Sequence, residues 1–458
     1  MEEEFFNKAY FEDFFISHLA YKKGGGKDKI QPLVYWRVYR NEIDTVIDKC
    51  LTGKYEFCPY NEHLISKGSQ SLPRVISIPI VRDRLVLGVL NQYLSKLFPH
   101  CVNHKTPNTY IKEIQKYIEE HRKYSLQFFK SDFTKFYDNI NQHLLFEKLQ
   151  KKIDNKNIFQ LIVKAVQTPT FSGPKSKREP NAKNIKGVPQ GLAISNLLAS
   201  IYMYDFDEYM LNLTRGGLYI RYVDDILILH NKTENIKEKI SDYIIQKNLQ
   251  LQFSEKKTIE QGNLKESNVD YIGFLISDKL ITPRAKNVDS FLNRLATKCT
   301  KFKKLYEDKH LRPLFIFKDV DLISYYVEDL NWMISGIKVD NNLYGWMPYF
   351  QATNDLSLLC RIDSIVRKKL LKGFDDTVKN QVHSLLKSYY SIIERNGNKL
   401  AFDFDKIESP DQKRHFLARR GRLYAERKYT NQQIDLIFQS YKESIKRKTQ
   451  KNIGYSKM

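Results

Sequence analysis

The spacing of apolar and polar positions changes period several times along the chain, and each change marks an element. Residues 1–60 carry mostly helical spacing, interrupted by KKGGGKDK at 22–29. Three glycines among lysines suit a phosphate cradle or a plain flexible loop. RVISIPIVRDRLVLGVLNQYL (74–94) begins with strand alternation and passes into helix period. YSLQFFKSDFTKFYDNI (124–140) opens as an apolar strand that runs into Asp132. Residues 141–168 read as helix, and SGPKSKREPNAKNIKG (172–187) as a basic loop punctuated by Pro and Gly. LAISNLLASIYMYDFDEYM (192–210) repeats apolar residues every three or four positions, which predicts a strong helix. The stretch 218–229 reads strand, tight turn, strand; a charged helix follows at 233–248, then short strands in LQLQFS and DYIGFLI. From 284 the pattern is helical to the end. The class predicted is α+β.

At 458 residues the chain is too long for one ordinary core, so two or three subdomains are expected. Lys and Arg total 75 against 53 acids, a formal charge of +22, which favours a polyanionic partner such as nucleic acid. Ten Lys or Arg fall within 284–318 against three acids. Five scattered cysteines contain no CxxC pair, so neither a zinc site nor a disulfide framework is indicated. The acidic start MEEEFFNKAY is unlike a signal peptide, and no apolar run approaches membrane-spanning length. A cytoplasmic protein without a membrane partner is the expectation.

RYVDDILILH (221–230) sets Asp224 and Asp225 side by side within an apolar run. Burying carboxylates is costly, and like charges repel. Within a strand, neighbouring side chains face opposite ways, so the pair can serve one site only from a hairpin tip. Strands at 218–223 and 226–229 would put both there. Carboxylates so concentrated persist when a divalent cation neutralises them. Asp132, ending another apolar strand, supplies a third acid. Two Mg²⁺ held this way activate an attacking 3′-hydroxyl and stabilise a leaving pyrophosphate. The bland alternative is a polar turn.

FFKSDFTKFYDNI, GVPQGLAISN, RYVDD, FSEKKT and YIGFLI, with RVISIP…DR before them, resemble the ordered core motifs of reverse transcriptases. The resemblance spans roughly residues 20–330. It implies a right-hand polymerase, with N-terminal helices and fingers in 1–120, a palm with a fingers insertion in 121–283 and a helical thumb in 284–345. An all-helical basic extension would fill 346–458. By the same resemblance Asp132 and Asp224 are the principal metal ligands and Asp225 the supporting acid. The Phe133 carbonyl completes the coordination of two Mg²⁺, for which Mn²⁺ can substitute. Tyr137 is the bulky residue that excludes a 2′-hydroxyl, and Asp138 is structural. Gln190 and Gly191 meet the incoming nucleotide and templating base. Arg74 grips the triphosphate, with Lys67 as a possible assistant. Lys257, or Lys256 in the other register, protonates pyrophosphate. Gly273 lies in the primer grip.

Departures narrow the kind. NAKNI lacks the histidine of the retron NAxxH segment, and no VTG follows. QGLAISN replaces the QGxxxSP of group II intron enzymes, and no nuclease constellation is present. The SN ending and the basic tail look most like bacterial defence-associated reverse transcriptases, the unknown-group and abortive-infection types. That implies antiphage immunity, dNTP substrates, a DNA product, a structured noncoding RNA template, and a second reverse transcriptase or a homo-oligomer. Template-independent or protein-primed synthesis and a non-catalytic RNA scaffold are the alternatives. RHFLARRGRLYAERKY (414–429) suits RNA binding or a helical buttress equally.

Overall fold

The architecture is taken from a computed structural model of the chain. It describes residues 1–22, 24–66, 72–171, 183–230, 235–253, 260–313, 315–316, 318–394, 398–424, 426–451 and 453. Lys67, Lys256, Lys257 and most of the basic 172–187 loop lie outside these residues. The protein is mixed α+β and divides into two compact units, 1–104 with 127–263, and 105–126 with 264–458.

The first unit holds two sheets. β1 (Tyr60–Ile65) pairs antiparallel with β2 (Arg74–Ile78) and parallel with β4 (Thr170–Phe171). The second sheet has the order β5-β6-β3-β7, built from β3 (Gln127–Asp132), β5 (Leu218–Tyr222), β6 (Asp225–His230) and β7 (Glu260–Asn263). Every pair in it is antiparallel. β3 and β6 are central, and β6 is buried along DILIL, which explains why its apolar run does not alternate. Phe129, Ile226 and Ile228 enter the main core of the unit. There the helices Ser195–Leu213 and Ile236–Gln246 pack, with Tyr209 and Tyr243 stacked at 4.2 Å and Phe206 edge-on to Phe133.

Three sequence expectations change. Residues 249–253 of LQLQFS are not a strand; among these described residues only Phe253 makes a bridge, to Phe133, while its ring packs on Phe129 and Phe133. Burial of Leu249 and Leu251 accounts for the alternation without a ladder. The polar segment EQGN is instead a strand, β7, at the sheet edge, where one side needs no apolar cover. Asp225 is not at the hairpin tip but opens β6.

In the second unit β8 (Val269–Tyr271), β9 (Phe274–Ile276) and β10 (Ile281–Pro283) form an antiparallel sheet. The helix Ala285–Glu307 buries Val288, Phe291, Leu295, Cys299, Phe302 and Leu305, a helical stripe that leaves most of its lysines outside. The expected all-helical remainder is corrected. β11 (Ile337–Val339) and β12 (Asn342–Tyr344) form a hairpin, and β13 (Phe402–Asp403) joins β11 in parallel. These strands are too short to show a period-two signal.

In the basic 414–429 segment Arg420 turns inward, while Arg419, Arg422, Arg427 and Lys428 stay exposed. Arg420 is 2% exposed, its guanidinium lying 3.8 Å from the Tyr325 ring centroid and 4.6 Å from that of Trp332. It pairs with Glu328 at 3.2 Å and with Asp329, and donates to Tyr441 Oη at 3.1 Å. Arg419 pairs with Glu328 at 2.7 Å, Lys413 pairs with Asp435, and Phe416 and Leu417 are buried. Deleting one member of such a buried network strands the others. Arg420→Ala is expected to cost about 3–5 kcal/mol, and Lys428→Ala, at an exposed position, no more than about 0.5 kcal/mol. Denaturant melts of the two variants check this.

Candidate active site

The carboxylate pair is built by strand register. Asp132 ends β3, Asp225 begins β6, and they are directly opposed in the ladder. Four apolar-containing pairs lead up to them, Phe128↔Leu229, Phe129↔Ile228, Lys130↔Leu227 and Ser131↔Ile226. Directly opposed residues hold their Cβ atoms about 4.5–5.5 Å apart, and like charges so placed repel. Both aspartates are 7% exposed. They share the face opposite the one Phe129, Ile226 and Ile228 bury in the main core.

Tyr222 also pairs with Asp225, so the hairpin loop is Val223–Asp224. The loop has positive φ at its first residue, +60° at Val223. A two-residue hairpin of that form favours glycine there, and a β-branched residue costs on the order of 1–3 kcal/mol. The sequence reading placed the tip one residue later because nothing in VDD advertises such a turn. The correction makes the arrangement simpler. Asp225 takes its direction from β6, and Asp224, in the loop, is freed from strand alternation.

The loop is tied from both sides. Phe133 N donates to Asp224 O at 3.3 Å. Arg221 Nη1 donates to Val223 O at 2.8 Å, while its Nε donates to Asp207 Oδ1 at 2.7 Å and its Nη2 to Asp207 Oδ2. Tyr219 Oη also donates to Asp207 Oδ1, at 2.7 Å. Asp207 sits on the helix Ser195–Leu213, so a bidentate carboxylate–guanidinium pair anchors the strained loop to the helix behind it. Sequence reading did not single out either residue; an Arg beside the aspartates and an acid on a helix otherwise read as apolar were the available signals.

Tyr137 is half-buried, and its carbonyl accepts from Val188 N at 2.8 Å. Burial raises its phenol pKa well above the ordinary value, with the Asp224 charge pushing the same way and Arg221 and Arg74 opposing. Gln190 and Gly191 dock on β2, where Ser77 N donates to Gln190 O at 2.7 Å, while Pro189 O accepts from Ser195 Oγ of the following helix at 2.6 Å. Gly191 has φ +103°, and a Cβ there would stand 2.6 Å from Ile76 Cγ2. Arg74 is on β2 with Ile76 on the same face, so the arginine, the Gly191 turn and Tyr137 belong to one neighbourhood. Gly187, φ +73°, lies against Tyr137 O where a Cβ would come to 2.6 Å. Gln142, not anticipated from sequence, donates to Gly187 O at 2.8 Å and to Asn184 O at 3.0 Å. In the other unit Gly273, φ +85°, accepts from Arg284 N at 3.0 Å and Asn287 Nδ2 at 3.1 Å.

Among the described residues no three His, Cys, Asp or Glu side chains stand close enough together to hold a metal ion as they are placed. The donor chemistry nonetheless suits a hard cation. Two opposed carboxylates, a third on the adjoining loop and the backbone oxygen of Phe133 are all oxygen donors. Removing the loop anchor tests its role. Arg221→Gln is expected to lower amide hydrogen-exchange protection across 222–226 by an amount equivalent to about 1–3 kcal/mol. Unchanged protection would leave the Asp207–Arg221 pair without that role.

Residues 65–276 match the model of the family described as reverse transcriptase (RNA-dependent DNA polymerase). An uncharacterized 91 kDa protein in a cob intron of Schizosaccharomyces pombe is 27% identical over 175 residues, 37% of this chain and 21% of that protein. The group II intron-encoded protein LtrA of Lactococcus lactis is 25% identical over 180 residues, 38% of this chain and 28% of that one. Protein YkfC of Escherichia coli is 22% identical over 181 residues, 37% of this chain and 45% of that one. The matches thus span less than half the length of these relatives. A solved telomerase from Candida albicans, in complex with a fragment of telomeric RNA, superposes with TM-score 0.48 at 15% identity, covering 77% of this chain and 69% of that one. Arg74, Asp132, Tyr137, Gln190, Gly191, Asp224 and Asp225 all fall within the 65–276 stretch that is similar to reverse transcriptases.

Proposed function

We propose that the chain is an RNA-directed DNA polymerase that adds deoxynucleotides to a 3′-hydroxyl. The observation that carries this is the opposed Asp132 and Asp225 pair with Asp224 on the adjoining loop, inside the stretch matched to reverse transcriptases. Asp132, Asp224, Asp225 and the Phe133 carbonyl would hold two divalent cations, Mg²⁺ or Mn²⁺. Such ions supply activation of the attacking hydroxyl and charge stabilisation of the leaving pyrophosphate.

The rest is done by the protein's own groups. The planar fork of Arg74 fits triphosphate oxygens. Gly191 lets backbone approach the incoming nucleotide where a side chain would block it. The ring of Tyr137 occupies the space a 2′-hydroxyl would need, which selects deoxynucleotides. Lys257 is the proposed donor of a proton to pyrophosphate. The lysine-rich outer face of the helix Ala285–Glu307 suits contact with a duplex backbone.

The finer reading is that the template is a structured noncoding RNA and that the enzyme serves antiphage defence in a bacterial cytoplasm, with a second reverse transcriptase or further copies of itself. It is supported by the SN ending of QGLAISN and the basic tail. Among the described residues no helix is long and apolar enough to cross a membrane.

Protein purified with its accompanying nucleic acid is given Mg²⁺ and labelled dNTPs, with and without RNase pretreatment. RNase-sensitive DNA synthesis is expected, falling at least about a thousandfold in Asp224→Ala, the scale on which loss of a catalytic group is felt. RNase-resistant synthesis would instead indicate template-independent or protein-primed extension. Absence of synthesis in the wild type would favour the scaffold.

A further inference from the structure

The tyrosine read as the sugar gate has a partner of its own. Tyr137 Oη donates to Asn196 Oδ1 at 2.6 Å. The backbone end of Tyr137 is already held, by the Val188 N–H on its carbonyl and by Gly187 pressed against it, and its ring stands at 68° to that of Phe136 with centroids 5.4 Å apart. What remains free is rotation about the side-chain torsions, which swings the hydroxyl end of the ring. Asn196 closes off that rotation. It is the second residue of the 19-residue helix Ser195–Leu213, whose first residue is tied to Pro189 O through Ser195 Oγ. The phenol is thus fastened at its far end to the same segment that carries Gln190 and Gly191.

We infer that Asn196 is a positioning residue for sugar selection: by holding the Tyr137 hydroxyl, it fixes the ring edge that a ribonucleotide 2′-hydroxyl must meet. The inference rests on reading Tyr137 as the gate. Without Asn196 the ring still fills the space on average, but it can turn aside when a ribonucleotide binds. Asn196 is exposed at the surface of its helix, so its replacement leaves the core intact.

The test compares kcat/KM for a dNTP and for the matching rNTP in wild type, Asn196→Ala, Tyr137→Phe, the double variant and Tyr137→Ala. Tyr137→Phe keeps the ring and removes only the hydroxyl, so it addresses the anchor even if Asn196→Ala folds poorly. The account expects each of the first two to lower the dNTP/rNTP ratio by about tenfold, the low end of what a pocket yields on so small a group. The change should enter through the rNTP KM. Because both remove one interaction, the double variant should fall no further than either, a non-additivity that marks direct coupling. Tyr137→Ala should lower the ratio further still. A wild-type ratio in Asn196→Ala beside a lowered one in Tyr137→Ala overturns the anchor and leaves the gate standing. Additive losses in the double variant overturn it as well. An unchanged ratio in Tyr137→Ala removes the gate, and the anchor with it.

Discussion

The register of β3 against β6 is the constraint on which the site depends. A slip of one residue would move every side chain of a strand to the other face, carrying Asp132 or Asp225 into the apolar core. The ladder prevents this by pairing apolar residues on both faces. Each fully buried Phe, Leu or Ile contributes about 1.5–3 kcal/mol, and Phe128, Phe129, Ile226, Leu227, Ile228 and Leu229 are all buried. That sum outweighs the cost of opposing two carboxylates and of the left-handed Val223. On the proposed reading, bound cations would relieve that repulsion.

A second level of constraint binds the surroundings to that pair. The Gly187–Gly191 segment touches Tyr137 on one side and β2 on the other, through contacts that tolerate no Cβ at two glycines. Arg221 fastens the aspartate loop to the helix Ser195–Leu213, whose first turn also receives the Tyr137 hydroxyl. One helix thereby references the acid loop, the Tyr137 ring and the Gln190–Gly191 turn. In the other unit, a buried arginine network performs the equivalent task for the C-terminal helices.

Much of this was legible in the sequence where burial is two-sided or strongly periodic. The strand into Asp132, the strand after the aspartates and the helices 81–97 and 195–213 announce themselves through apolar spacing. What escaped was set by tertiary partners. β7 is polar because it is an edge, and Leu249 and Leu251 alternate because both are buried beside a bridge. Asp225 joined a strand because its partner is Asp132, a pairing local pattern cannot express. Asp207 and Arg221 meet across 14 residues of chain, and Asn196 and Tyr137 across 59, separations that no local pattern expresses. Nothing in the basic tail's sequence shows that one of its arginines, Arg420, is stacked and paired inside.

The central claim is that the opposed carboxylates exist to hold divalent cations. Electron paramagnetic resonance of free Mn²⁺, titrated with the full chain and with Asp132→Asn and Asp225→Asn variants whose unfolding midpoints match it, tests this without relying on turnover. The account predicts that the wild-type protein depletes the free-ion signal saturably, that Mg²⁺ restores it, and that Asp132→Asn loses most of the depletion. Equal depletion by the wild type and Asp132→Asn, or none by the wild type, would contradict it.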